Sequence, residues 1–143
     1  MDGSLIVWQK GGGEGGEIFT LYSLPYLGVM TKMAFTKDSK ILLMAGDDGA
    51  VRYLSMEGRG DVLTLLLTGL GAGVRTMEFN RDGTILALGL EDNRIALVDY
   101  ENQTVLISLE GHTRQITNLT WLEDDSFLVS SSADGSVRFW GVR

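Results

Sequence analysis

Apolar residues in this chain come in short alternating bursts, cut by turns rich in aspartate and glycine. Val74-x-x-Met77-x-Phe79 and Ile116-x-x-Leu119-x-Trp121 have the spacing of short strands, ended by Asn80-Arg81-Asp82-Gly83 and Glu123-Asp124-Asp125. Ile85–Leu88 and Phe127–Ser131 read as the strands that follow. Asp92-Asn93 and Asp134-Gly135 then turn the chain into Arg94–Val98 and Val137–Trp140. Such dipeptides mark hairpins because a tight type I′ turn needs positive φ at its centre. Val105–Leu109 supplies a last strand. No segment sustains a period of 3.6. Asp61–Leu70 comes nearest, since Val62, Leu66 and Leu67 would share one helical face. Its place in the pattern predicts instead an extended strand over Asp61–Thr68, with leucines alternating between two apolar layers.

The pattern recurs. Sliding the chain along itself lays Gly69–Tyr100 over Gly111–Val142 without a gap, so that Val74 meets Ile116, Phe79 meets Trp121 and Asp92 meets Asp134. One step earlier, Met30, Phe35, Asp48 and Leu54 fall on Val74, Phe79, Asp92 and Val98. The frame D-G-S-x-x-x-W opens the chain at Asp2–Trp8 and returns at Asp134–Trp140. A fixed period of about forty residues with four short strands in each unit is the mark of a propeller blade.

The last unit, from Gly111-His112 through L-V-S-S-S-A-D-G-S-V-R-F-W, resembles a WD40 repeat. Gly111-His112, the Asp134-Gly135 turn and Trp140 all stand at the family spacing. The resemblance implies an all-β fold: a WD40-type β-propeller segment of about three four-stranded antiparallel blades, incomplete as a closed ring. It divides residues 1–143 into the last two strands of a blade (1–24), two whole blades (25–68 and 69–110) and three strands of another (111–143). The remaining blades are expected in cis or from another subunit. The family's side-chain relay would fall on His112, Ser130 (Ser132 is the second choice), Asp134 and Trp140. Indole N–H would donate to the hydroxyl, the hydroxyl to the imidazole, and the imidazole to the carboxylate. One repeat earlier Leu70, Leu88 and Val98 hold the places of His, Ser and Trp. Two repeats earlier Tyr26, Met44 and Leu54 do. Those blades are expected to rest on apolar packing alone.

A narrower likeness runs from Glu57 to Tyr100 and into the Gly111-His112 blade. With its Asn80, Asp82, Gly83, Thr84 turn and its I-A-L-V-D strand, it is similar to the N-terminal propeller of the replisome scaffold family that links DNA polymerase alpha to the replicative helicase. That likeness implies a nuclear role in chromatin replication.

Composition narrows the chemistry. With no cysteine and His112 as its one histidine, the chain can hold neither a disulfide nor a Cys/His zinc site, and no cofactor is expected. Twelve basic against nineteen acidic residues give a net charge of −7, which disfavours direct nucleic-acid contact. The longest apolar run, Val62–Leu67, is broken by Thr64 and too short to span a bilayer, so no membrane partner is expected. The acidic opening Met1-Asp2-Gly3 is unlike a secretory signal, which predicts an intracellular, cytoplasmic or nuclear setting.

Lys10–Glu17 is glycine-rich but lacks the Gly-Lys-Ser/Thr ending of a phosphate loop, and its Glu14 and Glu17 would repel phosphate. The acid pairs Asp47-Asp48, Glu91-Asp92 and Asp124-Asp125 sit in turns, where Asp is favoured for its own hydrogen bonds. His112, Ser130 and Asp134 supply the residue types of a hydrolase triad, but the relay would bury them. Arg75 and Arg114 fall beside the inter-blade loops, on the face where WD40 proteins hold partners, and a guanidinium suits such a rim. The expected function is a non-catalytic scaffold that binds proteins or peptides. A replisome scaffold and a propeller appended to an enzyme are the alternatives.

Overall fold

The computed structural model describes residues 4–11, 18–25, 29–57 and 64–141. Asp2, Gly3, most of the glycine-rich loop, Tyr26 and residues 61–63 lie outside the described residues. Thirteen strands make up the secondary structure there, all paired antiparallel in four sheets. The first sheet holds β1 (Ser4–Lys10) and β2 (Ile18–Pro25). The second holds β3 (Met30–Phe35), β4 (Ile41–Gly46), β5 (Val51–Ser55) and β6 (Thr64–Leu67) in chain order. The third repeats that order with β7 (Val74–Phe79), β8 (Ile85–Leu90), β9 (Ile95–Asp99) and β10 (Thr104–Leu109). The last holds β11 (Ile116–Trp121), β12 (Phe127–Ser132) and β13 (Val137–Gly141). This is the expected all-β propeller segment, unclosed.

The second strand of each whole sheet is the most apolar, and for a physical reason. β4 (ILLMAG) and β8 (ILALGL) lie between neighbouring sheets, so both their faces are covered and their side chains need not alternate with polar ones. β10 is the outermost strand of its sheet, and most of its side chains are exposed.

Three apolar layers hold successive sheets together. Leu5 of the first sheet meets Leu42, Met44 and Leu54 of the second. Leu43 and Val51 of the second meet Val74, Met77, Leu88 and Val98 of the third. Ala87, Ile95 and Leu97 of the third meet Ile116, Leu119 and Leu128 of the last. Met77 is fully buried at the centre of the middle layer, where truncation to alanine would cost roughly 2–5 kcal/mol. The replacements Leu70, Leu88 and Val98 all join that layer, and Met44 and Leu54 join the one before it.

Each inner strand carries a bulge at the same repeat position. The ladder skips Thr31 between Met30 and Lys32, Arg75 between Val74 and Thr76, and Thr117 between Ile116 and Asn118. A bulge leaves one residue unpaired and sharpens the twist of its strand. Thr31 uses this freedom to donate its hydroxyl to the Val74 carbonyl of the neighbouring sheet.

The fourth-strand slot is extended, but its leucines do not alternate cleanly. Leu65 is exposed, Leu67 is buried, and Leu66 packs against the same layer as Leu67. The cause is a register shift: Val51 faces Leu67 while Arg52 faces Leu65, which leaves Leu66 as the extra residue.

Candidate functional site

The sheets share one end at which the loop entering each inner strand meets the turn between its second and third strands. A backbone hydrogen bond joins the two in each of the last three sheets: Asp47 N–H to Val29 O (3.1 Å), Glu91 N–H to Gly73 O (2.9 Å) and Ala133 N–H to Gln115 O (3.0 Å). In each turn an aspartate carboxylate caps the chain two residues on, Asp48 for Ala50, Asp92 for Arg94 and Asp134 for Ser136. This is local Asx chemistry, and it explains why acidic residues recur there.

In the last sheet the same carboxylate does more. Asp134 Oδ1 accepts from the Ser136 hydroxyl at 2.6 Å and from its N–H at 2.8 Å. Oδ2 accepts from the Thr113 N–H at 3.0 Å and lies 2.9 Å from His112 Nδ1. The far imidazole nitrogen, Nε2, lies 2.7 Å from Ser130 Oγ, which also accepts the Trp140 indole N–H at 2.8 Å. With the imidazole proton on Nδ1, every donor of the relay has an acceptor, from indole through hydroxyl and imidazole to carboxylate. Thus four of the residues singled out in the sequence are brought together, and they tie β12 and β13 to the loop before β11.

The Ser136 hydroxyl foremost, helped by the Thr113 N–H and the His112 ring, holds the Asp134 carboxyl well below the usual carboxylate range, although burial, second in size only to the Ser136 hydroxyl, opposes it. Ser130 is fully buried and its hydroxyl is committed to both ring systems, so a substrate has no approach to that oxygen. Ser132 stands apart from the relay. Its hydroxyl donates to the Arg114 carbonyl at 2.8 Å and accepts the Asp134 N–H at 3.1 Å, pinning the loop that carries Arg114.

The two arginines of the rim differ. Arg75 is the bulge residue of β7, and its guanidinium pairs with Glu91 at 2.7 Å. Arg114 lies in the loop before β11, exposed, and its guanidinium has no partner among the described residues. No contact joins the two.

The blades without the histidine do not rest on apolar packing alone, which corrects that expectation. Arg94 grips Asp92 through Nε (2.7 Å) and sends Nη2 to the Leu70 carbonyl at 3.0 Å. A guanidinium is long enough to span the gap from the turn to the loop that imidazole spans in the last sheet. In the second sheet Arg52 pairs with Asp48 at 2.6 Å. The sequence does carry a signal for these pairs, an arginine two or four residues after the turn aspartate.

Comparison with known proteins agrees with this geometry. Residues 103–141 match the family model "WD domain, G-beta repeat". Over 141 residues, 99% of this chain and 12% of the relative, the chain is 24% identical to WD repeat and HMG-box DNA-binding protein 1 of Xenopus laevis. It is 29% identical to Target of rapamycin complex subunit LST8 of Saccharomyces cerevisiae over 73% of this chain and 34% of that protein. The crystal structure of the RRP9 WD40 repeats superposes with a TM-score of 0.74 at 22% identity, covering 95% of this chain and 41% of the other. The chain is therefore a WD40-type propeller segment, and its last unit is a WD40 repeat. It spans well under two thirds of the length of these relatives.

Proposed function

We propose that this chain is a protein-interaction scaffold whose rim, around Arg114, receives an acidic segment of a partner. The observation that carries the reading is the exposed Arg114 guanidinium, which has no partner among the described residues, on a loop whose backbone is held at Thr113, Arg114 and Gln115. Arg52, Arg75 and Arg94 are each engaged by a carboxylate. Among the described residues no carboxylate engages Arg114, although its own carbonyl and the neighbouring Thr113 N–H are fixed by Ser132 and Asp134. Holding a binding group in place beforehand reduces the ordering cost of association. Arg75, already paired with Glu91, lends its charge to the same rim rather than a free fork. The four units, 1–24, 25–68, 69–110 and 111–143, then act as part of one propeller, intracellular, its other blades supplied in cis or by another subunit.

Peptide display against the immobilised chain tests the reading. Enriched peptides should carry Asp or Glu and lose binding to Arg114→Ala while the fold is kept. Enrichment indifferent to Arg114 overturns it.

A second reading places this scaffold at chromatin, in the manner of the replisome family that the Glu57–Tyr100 run resembles. The likeness to a WD repeat and HMG-box DNA-binding protein along 99% of the chain supports it. Proximity labelling from the tagged protein should then recover replication proteins in S phase; labelling confined to the cytoplasm sinks this reading.

A further inference from the structure

At the end of the sheets opposite the rim, the turn between the first and second strands takes one form three times. Thr36 N–H donates to Ile41 O, Asn80 N–H to Ile85 O and Leu122 N–H to Phe127 O. Three residues into each turn, Ser39, Gly83 and Asp125 donate back to Thr36, Asn80 and Leu122 and hold positive φ of 60°, 76° and 56°. The turns are therefore equivalent residue by residue, and only their side chains differ.

Between the third and last sheets that difference makes a bolt. Asp125 reaches back to the preceding turn, where Oδ1 accepts the Arg81 N–H at 2.9 Å and Oδ2 the Asn80 amide at 3.2 Å. Between the second and third sheets the same position is Gly83, which has no side chain to send. The counterpart of Arg81 there is Lys37, and neither its N–H nor its ammonium has a partner among the described residues. Where the carboxylate sits at the later interface, this one has a pocket of about 340 Å³, lined by Lys37, Asp38, Ile41, Asp82, Gly83 and Tyr100 among others. A side chain fits beside the glycine, since a Cβ on Gly83 would lie 3.7 Å from Lys37 Cβ, an ordinary contact. Asp38 and Asp82 do not bar an anion. Asp82 and Asp124 hold the same two positions at the later interface, and a carboxylate is seated there nevertheless. Asp38 Oδ1 is in any case committed to the Thr36 hydroxyl and the Lys40 N–H.

We propose that this pocket binds a carboxylate, from an aspartate or glutamate side chain of a partner protein, in the place that Asp125 fills one interface later. The carboxylate accepts the Lys37 N–H and pairs with the Lys37 ammonium, two charge-assisted contacts. The apolar stem of the partner's side chain lies against Ile41 and Tyr100, which line the same pocket. Both walls belong to whole sheets, so the site is complete within the chain. It lies at the opposite end of the sheets from Arg114 and does not rest on the rim.

The Lys37 amide resonance reports on the site directly. The whole chain, isotopically labelled, is titrated with the peptide acetyl-Gly-Asp-Gly-amide and, in parallel, with its Asn analogue. The aspartate peptide should move the Lys37 amide proton downfield to saturation, and the asparagine peptide should bind about fivefold more weakly or not at all. Lys37→Ala keeps the backbone N–H but loses the ammonium, and should weaken the aspartate peptide about fivefold at the same amide. Gly83→Asp supplies the occupant from within the chain, at a φ that Asp125 already tolerates. Its Lys37 amide should stand downfield without peptide, and neither peptide should move it further. Arg114→Ala should leave the titration unchanged. The proposal is overturned if the Lys37 amide of the unaltered chain does not respond, or responds equally to both peptides. It is overturned as well if Gly83→Asp still titrates, or if Arg114→Ala abolishes the response.

Discussion

Arg94 Nη2 donates to the carbonyl of Leu70 at 3.0 Å, and Leu70 stands where His112 stands one repeat later. Both arrangements start from the turn aspartate and reach the loop before the inner strand. One uses an imidazole from the loop, the other a guanidinium from the turn. In the third sheet the guanidinium thus ties turn to loop, while Leu88 and Val98, at the places of Ser130 and Trp140, pack in the apolar layer.

Arg94→Ala should therefore loosen the loop before β7 more than the sheet beneath it. The pair with Asp92 is partly exposed, so the global loss is expected to be modest, roughly 0.5–1 kcal/mol. Amide exchange at Gly71–Gly73 should quicken markedly while β8 stays protected. Equal acceleration in β8 would mean that the guanidinium supports the whole sheet.

Trp140→Phe removes the first donor of a relay whose hydroxyl and imidazole are buried. Leaving the buried Ser130 oxygen without its indole donor should cost roughly 1–3 kcal/mol. The denaturant midpoint should fall well beyond that of Glu110→Ala, an exposed charge before the same loop. Coincident midpoints would show that the indole contributes packing alone.

Two carboxyls give opposite pH signatures. Asp134 has its folded pKa depressed, chiefly by the Ser136 hydroxyl, so its stabilisation is complete above the ordinary Asp value near 4. It is lost as pH falls below that value toward the folded one, and Asp134→Asn should flatten this acid limb. Glu78 is pushed up by burial, with Lys32 opposing. Its ionised form costs stability at neutral pH, a penalty that disappears as pH falls through the folded and then the unfolded pKa. Glu78→Gln should stabilise the protein at pH 7 and have no effect near pH 3. Chemical denaturation across that range separates the two.

The strands and the relay were legible because each rests on local spacing. Alternating apolar residues declare a strand, and His112, Asp134 and Trp140 lie at fixed offsets from a hairpin turn. The bulges at Thr31, Arg75 and Thr117 were not legible, for a simple reason. Every inner strand has the extra residue at the same place, so sliding one repeat over another cancels it. The bulge at Leu66 escaped because alternation assumes an unbroken ladder. Arg94 escaped because the reach of a guanidinium depends on where the loop at Leu70 returns in space, which spacing along the chain does not encode.

Close approach between sheets sets a third limit on sequence. A Cβ on Gly89 would lie 2.7 Å from Thr76 Cγ2 and 2.9 Å from Ile116 Cβ, in the layer joining the third sheet to the last. Gly89→Ala must push the two sheets apart and should cost roughly 1–3 kcal/mol. The counterpart one repeat earlier is Ala45, fully buried, so the second and third sheets already leave room for that methyl group. A neutral Gly89→Ala would show that the last sheet can shift freely.

The turn glycines offer a final contrast, because the repeats supply their own controls. Gly135 has φ +82° and nothing within 4 Å of an added Cβ, so only backbone strain opposes a side chain there. Its counterpart is Asn93, which holds φ 75° in the same turn one repeat earlier. Asparagine tolerates the left-handed region because its short polar side chain bonds locally, whereas alanine gains nothing to offset the strain. Gly135→Asn should therefore be near neutral and Gly135→Ala should cost about 1 kcal/mol. Gly49, the third member, has φ +73° but lies beneath the next sheet, where a Cβ would come 2.7 Å from the Ala72 carbonyl oxygen. There asparagine meets backbone rather than open space, and Gly49→Asn should destabilise more than Gly135→Ala. Thermal unfolding of the three variants ranks them. If Gly49→Asn proves as harmless as Gly135→Asn, the loop at Ala72 yields to a side chain, and contact between neighbouring turns does not hold these sheets in place.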